Sequence, residues 1–336
     1  TPATEILIEI AQHKSLGAKV FQAEDEIAGI CSAIGASFAG SLAVTTSSGP
    51  GLSLKTEAVG LAVMTELPIV IVDVQRAGPS TGMPTKSEQA DLNMALYGRN
   101  GEAPCIVIAA SSSSDCFYAA YNAAKYALET MTPVILLTDG KIGQGSELFR
   151  IPKVADLPAI NPPIVQPNDP DFKPYRRDPE TLVRGWAIPG TEGLQHRIGG
   201  LEKTDIFGAV STDPLNHEKM VNNRYEKVMR LANRIPKQEV TGCVDADTLV
   251  VSWGGTKGSV ETAVKEVNKT GKKVAHAHFS YIMPLPSNTA EIFAKYKKIL
   301  VCELNTGQFV GYLRATHPDF KYLQYNKVQG LPFTVS

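Results

Sequence analysis

Pro68–Val74 reads PIVIVDV and is followed at once by Gln75–Gly82, QRAGPSTG. The first run is short, almost wholly apolar and rich in β-branched residues, which is typical of a strand covered on both faces of a parallel sheet. The second run has the arginine, glycines and hydroxyls of a polar loop. A buried parallel strand that ends in such a loop predicts an α/β sheet with a ligand site at its carboxyl end.

Similar apolar runs lie on both sides of this strand and alternate with helical segments. Further strands are predicted at Ala18–Gln22, Ser41–Thr46, Cys105–Ala109 and Pro133–Thr138. Helices are predicted between them at Glu24–Phe38, Leu52–Met64 and Ser114–Thr130. This alternation predicts a doubly wound, mostly parallel sheet, so the fold class is α/β.

The alternation stops near residue 152 and resumes near residue 246. Pro158–Pro174 is rich in proline and reads as an extended linker, whereas His217–Arg234 is predicted to be an amphipathic helix. The later strands are predicted at Thr248–Trp253, Lys273–Phe279 and Lys298–Glu303, and the helices at Ser259–Lys269, Asn288–Tyr296 and Gly307–Thr316. We therefore predict a first domain at 1–155, a linker or arm at 156–245 and a second, smaller α/β domain at 246–336.

The composition excludes several functional classes. Lysine and arginine number 33 against 34 acidic residues, so the net charge is -1 and does not indicate a nucleic-acid-binding surface. No apolar run approaches the roughly 18 residues of a membrane span. The five cysteines form no CxxC pair, so neither a structural zinc nor an iron–sulfur cluster is expected within this chain. Their odd number and lack of clustering suit a reducing cytoplasm.

The six histidines show no metal-ligand spacing, although His276 and His278 are predicted on one side of a strand. We therefore expect no metal site in this chain. The P-loop signature and the nucleophile elbow are both absent from the sequence.

Three polar constellations are candidates for chemistry. Thr45–Gly51, TTSSGPG, comes where a strand gives way to a helix, and its glycines would let a ligand approach the backbone near Ser48 and Gly49. Arg76 begins a loop that continues to Thr85, and its planar donor fork suits a carboxylate. Glu26 opens a helix made of small and apolar residues. Each also has a structural explanation, namely a tight capped turn, a surface loop and a solvated first helical turn.

Taken together, these segments resemble the alpha subunit of the 2-oxoacid:ferredoxin oxidoreductases, specifically the 2-oxoglutarate branch. The resemblance covers essentially the whole chain, and Thr1–Glu5 looks like the end of the family's Tyr-Pro-x-Thr-Pro segment. The other matching segments are Gln22–Ala28, Thr46–Gly51, Gln75–Gly82, Pro84–Thr85, Trp186–Gly190, His196–Gly200, Glu303–Gln308 and Asn326–Gly330.

The resemblance implies a pyrimidine-binding thiamine-diphosphate domain, followed by a domain like the C-terminal domain of transketolase. It implies that Glu26, with Ser48 and Gly49, meets the thiamine cofactor. Thr1, Arg76 and Thr85 would meet the substrate, and Glu26 and Arg76 would be catalytic. A beta subunit would share the cofactor and would carry the Mg²⁺ and a [4Fe–4S] cluster. A gamma domain or subunit and ferredoxin are the other expected partners.

The implied reaction converts a 2-oxoacid, coenzyme A and oxidised ferredoxin to acyl-coenzyme A, carbon dioxide and reduced ferredoxin. The cofactor serves as the electron sink in this reaction. Three alternatives stay open on the sequence: a pyruvate or branched-chain 2-oxoacid enzyme, a non-catalytic subunit that keeps the thiamine fold, and a nucleotide-binding module.

Overall fold

The computed structural model describes residues 3–335. Thr1, which the resemblance assigns to the substrate, lies outside the described residues. The strands are β1 Ala43–Ser47, β2 Ile69–Gln75, β3 Ile106–Ala109, β4 Val134–Asp139, β5 Thr241–Gly242, β6 Thr248–Trp253, β7 Val274–Phe279, β8 Tyr281–Met283, β9 Lys298–Glu303 and β10 Tyr322–Asn326. They form two five-stranded sheets.

Helices accompany both sheets. The α-helices are α1 Thr4–Gln12, α2 Glu26–Phe38, α3 Gly49–Leu54, α4 Thr56–Thr65, α5 Leu92–Tyr97, α6 Asp115–Thr130, α7 Gly140–Gln144, α8 Pro214–Arg230, α9 Lys257–Lys269, α10 Thr289–Phe293 and α11 Gln308–Thr316. None of the helices in residues 3–335 is long and apolar enough to cross a membrane.

The first sheet has the strand order β1-β2-β4-β3-β8. Its first four strands are parallel, and β8 joins β3 in the antiparallel sense. Every residue of β2, β3 and β4 is buried, which explains why these strands read as continuous apolar runs. Their carboxyl ends lie on one edge of the sheet, where the predicted polar loops begin.

The second sheet has the order β10-β9-β6-β7-β5. The pairs β10–β9, β9–β6 and β6–β7 are parallel, and the two-residue strand β5 is antiparallel to β7. The prediction of a second α/β unit is therefore confirmed. The predicted domain boundaries at 155 and 245 remain predictions. The strand β8 belongs to the last predicted domain, but it pairs with β3 of the first sheet.

Gln89 joins the two sheets through a set of buried hydrogen bonds. Its Nε2 donates to the carbonyl oxygen of Trp253 at 2.7 Å, and its Oε1 accepts from the backbone N–H of Leu304 at 2.9 Å. Asn305 Nδ2 donates to the carbonyl oxygen of Gln89 at 2.9 Å. These bonds fix the loop that leads into α5, so the edge of the first sheet has a defined position against the second.

Several sequence predictions differ from the structure. Ala18–Gln22 forms no strand, because this segment lies at the surface without a partner strand. The predicted helix Leu52–Met64 is two helices, α3 and α4, separated at Lys55. The helix α3 begins at Gly49, since a proline at the second helical position is compatible with a helix start. The sequence reasoning missed α1, α5, α7, β5, β8 and β10.

The predicted arm, 156–245, is held by buried ion pairs to Glu66, which lies between α4 and β2. This carboxylate accepts from Arg177 Nη1 and Nη2 at 2.9 and 2.5 Å and from Lys227 Nζ at 2.6 Å. Arg184 donates to the carbonyl oxygens of Thr65 and Glu66. The neighbouring cations hold the pKa of Glu66 well below its ordinary value despite the opposing effect of burial.

We expect Glu66→Gln to lower the free energy of unfolding by about 3–5 kcal/mol, because it leaves buried cations without their counter-ion. The exposed pair Arg230–Glu226 supplies a control, and Glu226→Gln is expected to cost no more than about 1 kcal/mol. Urea unfolding measures the loss, and limited proteolysis of the arm shows whether it detaches. Equal losses in the two variants would contradict the anchoring role of Glu66.

Candidate active site

Glu26 lies directly against the turn that follows β1. The helix α2 begins at Glu26 and is capped by Asp25, whose Oδ1 accepts from the backbone N–H of Ala28 at 2.7 Å. A Cβ on Gly51 would lie 2.8 Å from Glu26 Cγ and 1.9 Å from Ser47 Oγ. The structure therefore brings the predicted carboxyl and the predicted turn together, and Gly51 makes that approach sterically feasible.

Ser48 and Gly49 form the step from β1 into α3. Ser48 has an extended backbone, and both residues are buried. A Cβ on Gly49 would lie 2.4 Å from Asp91 Oδ1, so this glycine too is required by close packing. The turn is thus held between Glu26 on one side and Asp91 on the other.

We expect Gly51→Ala to lower the affinity for thiamine diphosphate by at least about tenfold, because the added methyl group must displace Ser47 or Glu26 at a cost of about 1–3 kcal/mol. Gly35→Ala, within α2, is the matched control, since its Cβ meets nothing within 4 Å. A cofactor titration of the complete complex measures both variants. An unchanged affinity for Gly51→Ala would show that the Glu26 contact with the turn is not needed for binding.

Lys55 is a buried cation beside this turn that the sequence reasoning missed. Only 1% of the residue is exposed, and its Nζ donates to Thr45 Oγ1 at 2.9 Å. Desolvation by burial lowers the pKa of Lys55 to about 8, although the charges of Glu26 and Asp73 oppose the shift. The available signal was a lone lysine within an otherwise uncharged stretch of the predicted helix.

Arg76 follows the last residue of β2, at the carboxyl edge of the first sheet. The residue is half-buried, and its Nε is buried without a hydrogen-bond partner among the described residues. The loop after it folds back on itself, with the N–H of Ala77 donating to the carbonyl oxygen of Lys86 at 2.9 Å. Gly82 has φ +49°, and a Cβ there would lie 1.8 Å from the carbonyl oxygen of Ala77, so the loop closure requires glycine.

Thr85 is exposed on the same loop and lies at the end of the neighbouring strand. A Cβ on Gly140, the residue after β4, would be 3.0 Å from the carbonyl oxygen of Thr85. Since β2 and β4 are adjacent and parallel, Arg76 and Thr85 belong to one edge of the sheet. The structure thus places Arg76 and Thr85 at a common edge of the sheet, and no hydrogen bond joins their side chains within residues 3–335.

Two further carboxyls, the buried Asp73 and the half-buried Asp91, also lie at this edge and were missed. Asp73 is a residue of β2, and Asp91 precedes α5. Burial raises the pKa of Asp73 and raises that of Asp91 to about 6. The signal for Asp73 was a single charged residue within the apolar run Pro68–Val74.

These residues fit the pyrimidine end of thiamine diphosphate. Gly49 and Gly51 carry no side chain where the backbone is closely packed, and Glu26 presents a half-buried carboxyl beside them. Across residues 3–335, no group of three or more His, Cys, Asp or Glu side chains is placed to hold a metal ion.

Comparison with known proteins identifies the family. Residues 1–212 match the family described as "Pyruvate flavodoxin/ferredoxin oxidoreductase, thiamine diP-bdg". The chain is 50% identical over 99% of its length to the 2-oxoglutarate oxidoreductase subunit KorA of Mycobacterium tuberculosis, of which it covers 50%. It is 34% identical to the 2-oxoglutarate synthase subunit KorA of Methanothermobacter marburgensis. This match covers 92% of the present chain and 82% of that protein.

A solved structure agrees with these matches. The 2-oxoglutarate:ferredoxin oxidoreductase from Magnetococcus marinus, with 2-oxoglutarate, coenzyme A and succinyl-CoA bound, superposes with a TM-score of 0.93 at 36% identity. The match covers all of this chain and 59% of that one, so the chain spans little more than half of the longer relatives it matches. The chain belongs to the thiamine-diphosphate-binding family of the pyruvate flavodoxin/ferredoxin oxidoreductases.

Proposed function

We propose that this chain is the alpha-type subunit of a 2-oxoacid:ferredoxin oxidoreductase that acts on 2-oxoglutarate. The observation that carries the proposal is the placement of Glu26 against the Ser47–Gly51 turn, with Arg76 at the same edge of the sheet. The names of the most similar relatives support 2-oxoglutarate as the substrate. The family description also names pyruvate, so pyruvate is the competing substrate.

Glu26 has the proposed catalytic role toward the cofactor. Bound thiamine diphosphate supplies a nucleophilic carbon and an electron sink for decarboxylation. Glu26 would hold the pyrimidine ring through a hydrogen bond of its carboxyl, and this bond would support the loss of a proton from the bound cofactor. Ser48 and Gly49, both buried, would form the wall of the same site.

Arg76 has the proposed substrate role, with Thr85 and Thr1 as neutral donors beside it. A 2-oxoacid carries a carboxylate next to its keto group, and the guanidinium fork can bind this carboxylate with two parallel hydrogen bonds. At about 4 Å and an effective dielectric constant near 20, the attraction is about 4 kcal/mol before desolvation. Because the carboxylate leaves as neutral carbon dioxide, Arg76 serves mainly to orient the keto carbon.

The remaining chemistry is assigned to partners. A beta subunit is proposed to hold the diphosphate, its Mg²⁺ and a [4Fe–4S] cluster, and to pass two electrons to ferredoxin. A gamma domain or subunit completes the complex, and coenzyme A takes the acyl group. The prediction of a cytoplasmic location stands on cysteine usage alone.

A substrate panel tests the proposed function. The purified complex is supplied with coenzyme A, an artificial electron acceptor and one 2-oxoacid at a time: 2-oxoglutarate, pyruvate or a branched-chain 2-oxoacid. We expect the highest kcat/KM for 2-oxoglutarate. A higher value for pyruvate or a branched-chain acid would reassign the substrate, and no turnover with any 2-oxoacid would contradict the proposed activity.

A further inference from the structure

Asp73, which is buried, and Asp91, which is half-buried, are interacting carboxyls at the edge of the first sheet. Asp73 is fully buried in β2, and both of its carboxyl oxygens lack a hydrogen-bond partner among the described residues. Asp91 Oδ2 is likewise buried and without a partner. Two ionised carboxylates offer only acceptors, so a hydrogen bond between them requires that one carboxyl keep its proton and donate it to the other.

The surroundings decide which carboxyl keeps the proton. Desolvation raises the pKa of Asp73, and the charge of Asp91 and a hydrogen bond to it raise this pKa further, while Lys55 opposes the shift. Desolvation also raises the pKa of Asp91, but the hydrogen bond from Asp73 and the charge of Arg76 lower it, and Glu88 raises it slightly. Asp73 is wholly buried whereas Asp91 is half-buried, so burial penalises the charged form of Asp73 more, and Asp73 is the donor to the Asp91 carboxylate.

Asp91 contacts both halves of the candidate site. Its Oδ1 lies against Gly49, where a Cβ would approach to 2.4 Å. Its backbone N–H donates to Gln75 Oε1 at 3.2 Å, directly beside Arg76 in the chain. Asp91 and Arg76 interact through their charges, yet no ion pair joins them within the described residues. Arg76 Nε therefore remains a donor without a partner among the described residues, and a substrate can use it.

We propose that the Asp73–Asp91 pair is a positioning device that holds Arg76 and the Ser48–Gly49 turn in a fixed relation, with Asp73 protonated and Asp91 ionised. The inference rests on the proposed function, because its consequence is the orientation of a 2-oxoacid carboxylate. Asp91 and Asp73 act through Arg76 and the turn, and neither is assigned a contact with the substrate.

Three variants of the complete complex test the proposal. Asp91→Asn removes the charge, Asp73→Ala removes the donor, and Asp73→Asn keeps a side-chain donor that cannot titrate. We expect Asp91→Asn to raise KM for 2-oxoglutarate by at least about tenfold while kcat changes less. In the unmodified complex kcat/KM should fall as the pH drops through about 6, because protonation neutralises Asp91. Asp91→Asn should abolish this fall of kcat/KM at low pH. Asp73→Ala should move the fall to higher pH, because Asp91 loses the hydrogen bond that lowers its pKa, and Asp73→Asn should leave the fall at the same pH.

Infrared difference spectroscopy gives a readout that is independent of turnover. The complex should show the carbonyl stretch of a protonated carboxyl that persists above neutral pH and is absent from Asp73→Asn. The proposal is overturned if that band is missing, or if Asp91→Asn leaves KM and the fall of kcat/KM at low pH unchanged in an active complex. If Asp73→Ala does not fold, the two asparagine variants and the infrared band still test whether Asp73 is protonated and Asp91 ionised. A complex without 2-oxoacid turnover would contradict the proposed function, whereas the infrared band would still test the pair.

Discussion

Replacement of Glu26 by glutamine is expected to lower kcat of the complete complex by about 10²–10⁴-fold, the usual contribution of a positioned proton-transfer group. Glutamine has nearly the same shape and fits the space beside Gly51, so the fold and the turn should persist. The amide cannot take the place of a carboxyl in proton exchange with the pyrimidine ring. The direct measurement is hydrogen–deuterium exchange at the thiazolium carbon of the bound cofactor, which should slow with kcat.

Glu24→Gln is the matched control, since Glu24 is exposed and lies just before the same helix. It should leave both the exchange rate and kcat unchanged. Exchange at the unmodified rate in Glu26→Gln would return Glu26 to the role of an acidic residue in the first turn of α2.

Arg76→Ala is expected to lower kcat/KM by at least about tenfold, roughly 1.4 kcal/mol, for every accepted 2-oxoacid. Thiamine diphosphate should still bind, because Arg76 lies at the end of β2 and not in the turn that is proposed to bind the cofactor. Arg76→Lys should also be impaired, since lysine keeps the charge but loses the planar fork. Steady-state kinetics with monocarboxylic and dicarboxylic 2-oxoacids measure the effect.

Arg150→Ala, at an exposed arginine, is the control for a general loss of positive charge. A loss confined to dicarboxylic substrates would show that Arg76 binds the distal carboxylate and would contradict the assignment to C1.

The sequence predicted most of the fold because its central strands are strongly patterned. The strands β6 and β9 have the predicted bounds, β3 begins one residue later than predicted, and β2 and β4 are each displaced by one residue along the chain. The strand predicted at Ala18–Gln22 was wrong because a segment forms a strand only where a partner strand is available, and this one lies at the surface. The single helix predicted at Leu52–Met64 was wrong because Lys55 turns inward to Thr45, a tertiary contact that periodicity does not record.

The candidate site was predicted in part. Glu26 and the Ser48–Gly49 turn were named from the sequence, and the structure brings them together through Gly51. Their roles remain predictions, as does the role of Thr85. Asp73, Asp91 and Lys55 were missed because their significance lies in burial and in mutual contact, and residues 18 positions apart along the chain carry no sign that their carboxyls meet.

Carbon dioxide release from 2-oxoglutarate labelled at C1 tests the central claim most directly. The label is followed with the complete complex and with this chain alone, each supplied with thiamine diphosphate, Mg²⁺, coenzyme A and an electron acceptor. We predict labelled carbon dioxide in step with acceptor reduction from the complex and none from the isolated chain, because the diphosphate and Mg²⁺ are proposed to be held by a beta subunit. Release by the isolated chain, or no release by the complex, would contradict the account.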